Sequence, residues 1–170
     1  TASFLPAFLI EYHGYTASVA SALFSVYFVV QGLAQPGLGT LSDRMDRYPA
    51  AAIAVAIGVV GYVGLVVGPG LWTVSGAVVC TGVAMSWGAA LLPTFMDHLG
   101  EEERSVGFGL IRSAYMILGA AGSVVTGAAA DLLGWGPAFL GLAVLLGGML
   151  GVLLYAMHRS GAGSQEPVPS

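Results

Sequence analysis

The chain has 170 residues, 56% of them hydrophobic and 8% charged, with a mean hydropathy of +0.85, far more apolar than a soluble domain. Five arginines, no lysine and nine acidic residues leave a net charge of −4 and no basic patch suited to nucleic acid. Cys80 stands alone in an apolar run, which excludes a disulfide framework and reads as a small buried hydrophobe. In a bilayer the backbone must satisfy its own polar groups, so long apolar runs are helices or barrel strands. These runs are too long and too uniform for strands of period two. The composition predicts an all-α membrane protein.

Six apolar segments follow in order. Thr1–Ile10 is too short for a span and lacks the basic front of a signal peptide; it reads as the outer end of a truncated helix. Ser18–Leu41 and Ala50–Val67 are each long enough to cross a bilayer, which takes about 20 residues. Between them Asp43, Arg44, Asp46 and Arg47 form a charged knot that reads as a short loop. Leu71–Phe95, Val106–Ala130 and Pro137–Met157 complete the set, separated by Gly68-Pro-Gly70, by Asp97 to Arg104 and by Asp131 to Gly136. Residues 1–158 thus read as one helical membrane domain, and the Ser/Gly/Pro-rich 159–170 as a disordered cytoplasmic tail.

Alternating spans put Arg44, Arg47, Arg104 and Arg159 on one side, while loops 11–17, 68–70 and 131–136 hold no Lys or Arg. By the positive-inside rule the knot and the tail face the cytoplasm. A shift of 88 residues matches Ser25 with Ser113, Tyr27 with Tyr115, Gly39 with Gly127, Asp43 with Asp131, Pro49 with Pro137 and Ala50 with Ala138. Three spans lie within that shift, so the two copies face opposite sides. Inverted three-helix repeats are a habit of secondary transporters.

The knot Gly39-x-x-x-Asp43-Arg44-x-x-Arg47 resembles the cytoplasmic loop signature of the major facilitator superfamily. Gly134-Trp135-x-x-x-Phe139 and the stretch from Glu103-Arg104 to Gly107 are similar to the same family's pattern. Asp46 stands where the family has Gly, and Tyr48 where a second basic residue is usual. The resemblance implies the C-terminal six-span half of a twelve-span transporter, its first helix truncated. It also implies that Asp43 meets the N-terminus of a helix of the missing N-terminal half and gates the cytoplasmic side. A carboxylate on a helix dipole contributes about 0.3–1 kcal/mol, more when partly buried. Gly39, Arg44 and Arg47 belong to that gate; the alternative is a solvated loop that anchors topology only.

Polar residues gather in two segments. Ser18–Leu41 carries Ser21, Ser25, Tyr27, Gln31 and Gln35, and Val106–Ala130 carries Arg112, Ser113, Tyr115, Ser123 and Thr126. These segments are expected to face a cavity or interface, the almost wholly apolar Ala50–Val67 and Pro137–Met157 to be peripheral. Gln31 and Gln35, one turn apart, read as hydrogen-bonding groups for a substrate or for a neighbouring helix. Arg112 lies eight residues beyond Arg104, about 12 Å along a helix. A mid-span arginine costs about 2.5–3.5 kcal/mol on insertion scales. It reads as an anion site, or as a snorkelling or paired residue; Tyr115 is a second cavity candidate. Trp87 and Met85 read as packing residues, the alternative being a place on the cavity wall. The glycine stripes at 58/61/64 and 119/127 read as close helix packing.

The expected function is secondary active transport of a small solute across a bilayer by alternating access. A non-transporting scaffold or subunit that pairs with another multi-span chain is the alternative. His13, His98 and His158 sit at span ends without metal spacing, and no nucleophile has a base beside it. Nothing in the chain calls for enzyme chemistry, a metal or a cofactor.

Overall fold

The computed structural model of the chain describes residues 2–45, 47–88 and 104–163, all of them in helices or the short joints between helices. A 3-10 turn, Ala2–Phe4, leads into α1 (Leu5–Glu11), which has Pro near its start, where a missing N–H costs nothing. Gly14 ends it: at φ 70° its N–H reaches the Ile10 carbonyl (3.0 Å), the left-handed cap that glycine adopts without strain. Thr16 Oγ1 then accepts from Val19 N–H (3.4 Å) as α2 (Ala17–Met45) begins.

Helix α3 (Arg47–Val67) starts one residue after α2 ends, and α4 spans Leu71–Ala84. After the undescribed stretch come α5 (Arg104–Leu133) and α6 (Trp135–Gly163). Gly134 is the whole joint between these two. Its φ of 89° turns the chain, and its N–H caps Ala130 O at 3.0 Å. Helix α6 runs on to Gly163, so the first residues of the expected tail continue the helix. The remainder of the tail lies outside the described residues, as do Asp46, the end of the fourth expected span and the loop from Asp97 to Glu103.

The sequence repeat has a structural counterpart. The same 88-residue shift carries Met45, the end of α2, to Leu133, the end of α5, and Arg47, the start of α3, to Trp135, the start of α6. Among the described residues, four helices are long and apolar enough to cross a membrane: α2, α3, and the spans Val106–Leu133 and Trp135–Arg159 of α5 and α6.

Helix α3 lies at the centre of the packing, between α4 on one side and α6 on the other. Half of its apolar window is buried (50%), against 17% for α2, 11% for α5 and 22% for α6. The expectation that α3 would be peripheral is therefore corrected. Apolar composition alone does not separate a lipid face from a packing face, and α3 packs through small residues. Ala50, Ala51, Ala54, Gly58 and Gly61 are buried. A Cβ on Gly58 would stand 2.6 Å from Ala84 Cβ, and one on Gly61 would stand 2.9 Å from Cys80 Cβ and from Thr81 N. The glycine stripe is what lets two helix backbones approach. Cys80 itself is half-buried.

Two apolar clusters result. One joins Leu5, Phe8 and Leu9 of α1 to Leu23 and Tyr27 of α2, Tyr62 and Leu65 of α3, Val74 and Val78 of α4 and Phe139 of α6. The other joins Leu38 of α2, the alanines and Val55 of α3, and Leu153 of α6.

Candidate functional site

The middle of the bundle is marked by an interruption. Helix α4 stops at Ala84, and Met85 and Ser86 form a turn before helical geometry resumes at Trp87. No Gly or Pro stands at Met85 or Ser86 themselves, though Gly82 and Gly88 lie close by on either side. The Ser86 hydroxyl, almost fully buried, donates to the Gln31 carbonyl of α2 at 3.2 Å. This stitch fixes the broken end of α4 at the midpoint of α2. Gly82 makes it possible: a Cβ there would stand 2.9 Å from the Tyr27 carbonyl, so the backbones nearly touch.

Gln31 is half-buried beside this stitch, and Gln35, one turn further on, is exposed. Pro36 sits inside the helix and brings no N–H for the carbonyl of Gly32, four residues back. A backbone acceptor thus lacks its helical donor between the two glutamines, a signal present in the sequence at Pro36 that a survey of side chains overlooks. On the other side of the break Trp87 meets Tyr115 of α5, with ring centroids 6.3 Å apart and planes at 60°. Tyr115 is 54% exposed, whereas its repeat partner Tyr27 is 2% exposed. Arg112, three residues before Tyr115 and so on the same side of α5, is exposed.

The break therefore gathers Gln31, Ser86, Trp87 and Tyr115. Gln35 and Arg112 each lie about one turn from this group, along α2 and α5. An apolar cavity of about 240 Å³ adjoins it, lined by Tyr62, Met85, Trp87, Leu142, Leu146 and Met149 among others. Trp87 borders both.

Three other polar residues of α2 and α5 spend their hydroxyl donors within their own helices. Ser25 Oγ donates to Ser21 O (2.9 Å), Ser123 Oγ to Gly119 O (3.1 Å) and Thr126 Oγ1 to Gly122 O (2.8 Å). A short hydroxyl can satisfy its donor on the preceding turn of its own helix, which is how these three are held. The second glycine stripe also behaves unlike the first. Among the described residues, a Cβ on Gly119 would meet nothing within 4 Å, and of the two glycines only Gly127 has a neighbour, the Phe4 ring at 3.2 Å.

The residues expected to form a cytoplasmic gate lie at the far end of α2. The knot expected as a loop is largely helix: Asp43 and Arg44 occupy the last turn of α2, and Arg47 opens α3. Nothing in Ser42-Asp43-Arg44-Met45 breaks a helix, and a cation is favoured in a last turn. Asp43 and Arg44 are exposed, Arg47 is half-buried, and the space over half-buried Gly39 is open.

The family model of the Major Facilitator Superfamily matches residues 1–170, the whole chain. The chain belongs to the Major Facilitator Superfamily. This superfamily chain is 29% identical to the class C tetracycline resistance protein of Escherichia coli over 153 residues, which cover 90% of the chain and 38% of that protein. It is 30% identical to the class G protein of Vibrio anguillarum over 150 residues (86% and 38%) and 28% identical to the class E protein of Escherichia coli over 159 residues (92% and 39%). The chain thus spans about two fifths of the length of these relatives. No solved structure matches it. Membership makes it a multi-pass membrane protein of a transporter family, and points away from an enzyme.

Proposed function

We propose that this chain is part of a secondary active transporter that carries a small solute across the cell membrane by alternating access. The observation that carries the reading is the pairing of polar residues with exposure. Helices α2 and α5 hold the candidate residues and are the least buried spans, at 17% and 11%. A polar flank left open at mid-span depth is disfavoured in lipid, and the chain spans only about two fifths of its relatives' length. The remaining part of the same transporter is the natural cover, with the solute pathway between the two parts.

In this reading Gln31, Gln35 and Tyr115 offer hydrogen bonds to the solute, and Arg112 offers a planar fork to an anionic group on it. Asp43, Arg44 and Arg47 lie at the cytoplasmic face with the tail, as the arginine distribution favours. Asp43 there holds the cytoplasmic side closed by meeting a helix N-terminus of the other half. The relatives are named for tetracycline resistance, and a membrane transporter confers resistance by export. Tetracycline is therefore the first solute to test.

The experiment is uptake of tetracycline into everted vesicles that carry the full-length protein, with Arg112→Gln and Arg112→Lys beside it. Loss of a charge-assisted bond of about 1.5–3 kcal/mol predicts a tenfold to hundredfold weaker apparent affinity in Arg112→Gln. Lysine restores it only in part, because it lacks the fork. No uptake of any solute, with normal insertion and stable association with a second membrane protein, would favour the scaffold reading instead.

A further inference from the structure

At the face opposite Arg47, three consecutive side chains of α1 and its cap reach the ends of two other helices. Trp135 Nε1, on the first residue of α6, donates to Glu11 Oε2 at 2.7 Å. Tyr12 Oη donates to Val66 O at 3.3 Å, and His13 Nε2 lies 2.7 Å from Leu65 O, so that this ring nitrogen carries the proton. The last carbonyls of a helix have no donor of their own; two of those of α3 find theirs here. Beneath these bonds the fully buried Phe8 stacks on Phe139, centroids 3.9 Å apart, and Phe4 and Phe8 flank Trp135 at 6.1 and 6.5 Å. Gly136 leaves room for the Tyr12 ring, which a Cβ there would approach to 3.2 Å. The second copy of the repeat does not repeat these residues in place: the 88-residue shift carries Glu11, Tyr12 and His13 to Leu99, Gly100 and Glu101.

We propose that Glu11, Tyr12 and His13 are positioning residues that fasten α1 to α3 and α6 as one rigid body, which keeps its geometry while the transporter changes the side to which its site opens. Packed joints switch between discrete arrangements rather than deform continuously, and three directed bonds over a ring stack define one arrangement. The movement that opens the pathway then falls on the uncovered faces of α2 and α5. This inference rests on the alternating-access reading, which the parent protein tests by itself.

The test uses the full-length transporter in proteoliposomes, with tetracycline as the probe and Cys80→Ala as the parent. Glu11→Cys with Trp135→Cys, left unlinked, lowers turnover severalfold at an unchanged half-saturating concentration. Bridging the two thiols with a short bis-maleimide restores the parent's rate. Trp135→Phe, which keeps the ring and loses the N–H, behaves like the unlinked pair, and Glu11→Gln, which keeps an acceptor, behaves like the parent. Arrest of transport on bridging would overturn the proposal, because the helix ends would then have to part; so would full turnover in the unlinked pair. A parent that moves no tetracycline counts against the transport reading. The clasp is then decided by spin labels at positions 11 and 135, which keep one narrow distance with Asp43 intact or changed to Asn. A second distance would sink it.

Discussion

The α2–α3 pair and the α5–α6 pair are two copies of one pattern, with the same turn positions, yet they are buried very differently. Helix α3 has 50% of its apolar window buried and α6 has 22%. Helix α4 covers α3, no described helix follows α6 to cover it, and three positions differ between the two surfaces. Gly58, Gly61 and Gly64 of α3 correspond under the 88-residue shift to Leu146, Met149 and Val152 of α6. Glycine admits a neighbouring backbone, and α4 lies down on it; Leu146 and Met149 pack with their side chains instead, Leu146 Cδ1 standing 3.3 Å from where a Cβ on Gly58 would be, and both line a cavity. A repeat thus conserves where helices turn while side-chain volumes and neighbouring helices differ between its copies.

The sharpest way to break this comparison is at the paired tyrosines. Tyr27 is 2% exposed in the first core cluster, and Tyr115 is 54% exposed. Tyr27→Ala should cost about 3–5 kcal/mol, the range for emptying an aromatic site, seen as a large fall in thermal stability and abundance. Tyr115→Ala should leave stability near the parent's and change solute affinity instead. Equal destabilisation by the two would mean that the copies are packed alike.

Making the first copy resemble the second comes next. Gly61→Met puts a long side chain where a mere Cβ already stands 2.9 Å from Thr81 N. Overpacking against backbone costs about 1–3 kcal/mol or more, and detergent-solubilised protein should unfold at a lower temperature. Gly119→Met, where a Cβ meets nothing within 4 Å, should leave the stability of this half unchanged. A drop as large as for Gly61 would show that α5 is covered after all.

The joint between α5 and α6 gives a smaller effect. Gly134 holds φ at 89°, a left-handed conformation that costs a residue with a Cβ about 1–2 kcal/mol. Gly134→Ala should lower the unfolding temperature modestly while transport at low temperature persists. Unchanged stability would mean that the cap at Ala130 tolerates a shifted backbone.

The smallest expected effect on stability separates the paired acids. Asp43→Asn should slow transport by up to about tenfold, the rate equivalent of a dipole contact of 1–1.4 kcal/mol, with abundance unchanged. Asp131→Asn, at the equivalent place near the end of α5, should leave transport unaltered. Wild-type rates in Asp43→Asn would reduce that residue to a topology marker.

Much of the fold was legible in the sequence because its causes are local. A bilayer demands helices from long apolar runs, and the boundaries at Gly14, Gly68-Pro-Gly70 and Gly134 announce themselves through residues with special backbone freedom. The family was legible too, since its signature lies in the charged knot and in Gly134-Trp135. The candidate site was legible only in outline. Gln31, Arg112 and Tyr115 stand out as polar groups in apolar runs, whereas Pro36 is legible only as a missing backbone donor, which a survey of polar side chains passes over. Ser86 could not, because a serine between Met85 and Trp87 looks like any other until its partner is known.

By itself the sequence determined the membrane-spanning helices, their turns, the repeat and the family. Hydrophobic length, charge placement and glycine geometry act over a few residues, so one chain suffices to read them. Tertiary structure alone decided that apolar α3 is the core rather than the rim and that α4 breaks beside Gln31. It alone brought Trp87 to Tyr115, and bound α1 to α3 and α6 through Glu11, Tyr12 and His13. Each of these depends on which helix lies against which. That choice is made by matching side-chain volumes and hydrogen-bond partners that stand 28 to 124 residues apart in the chain.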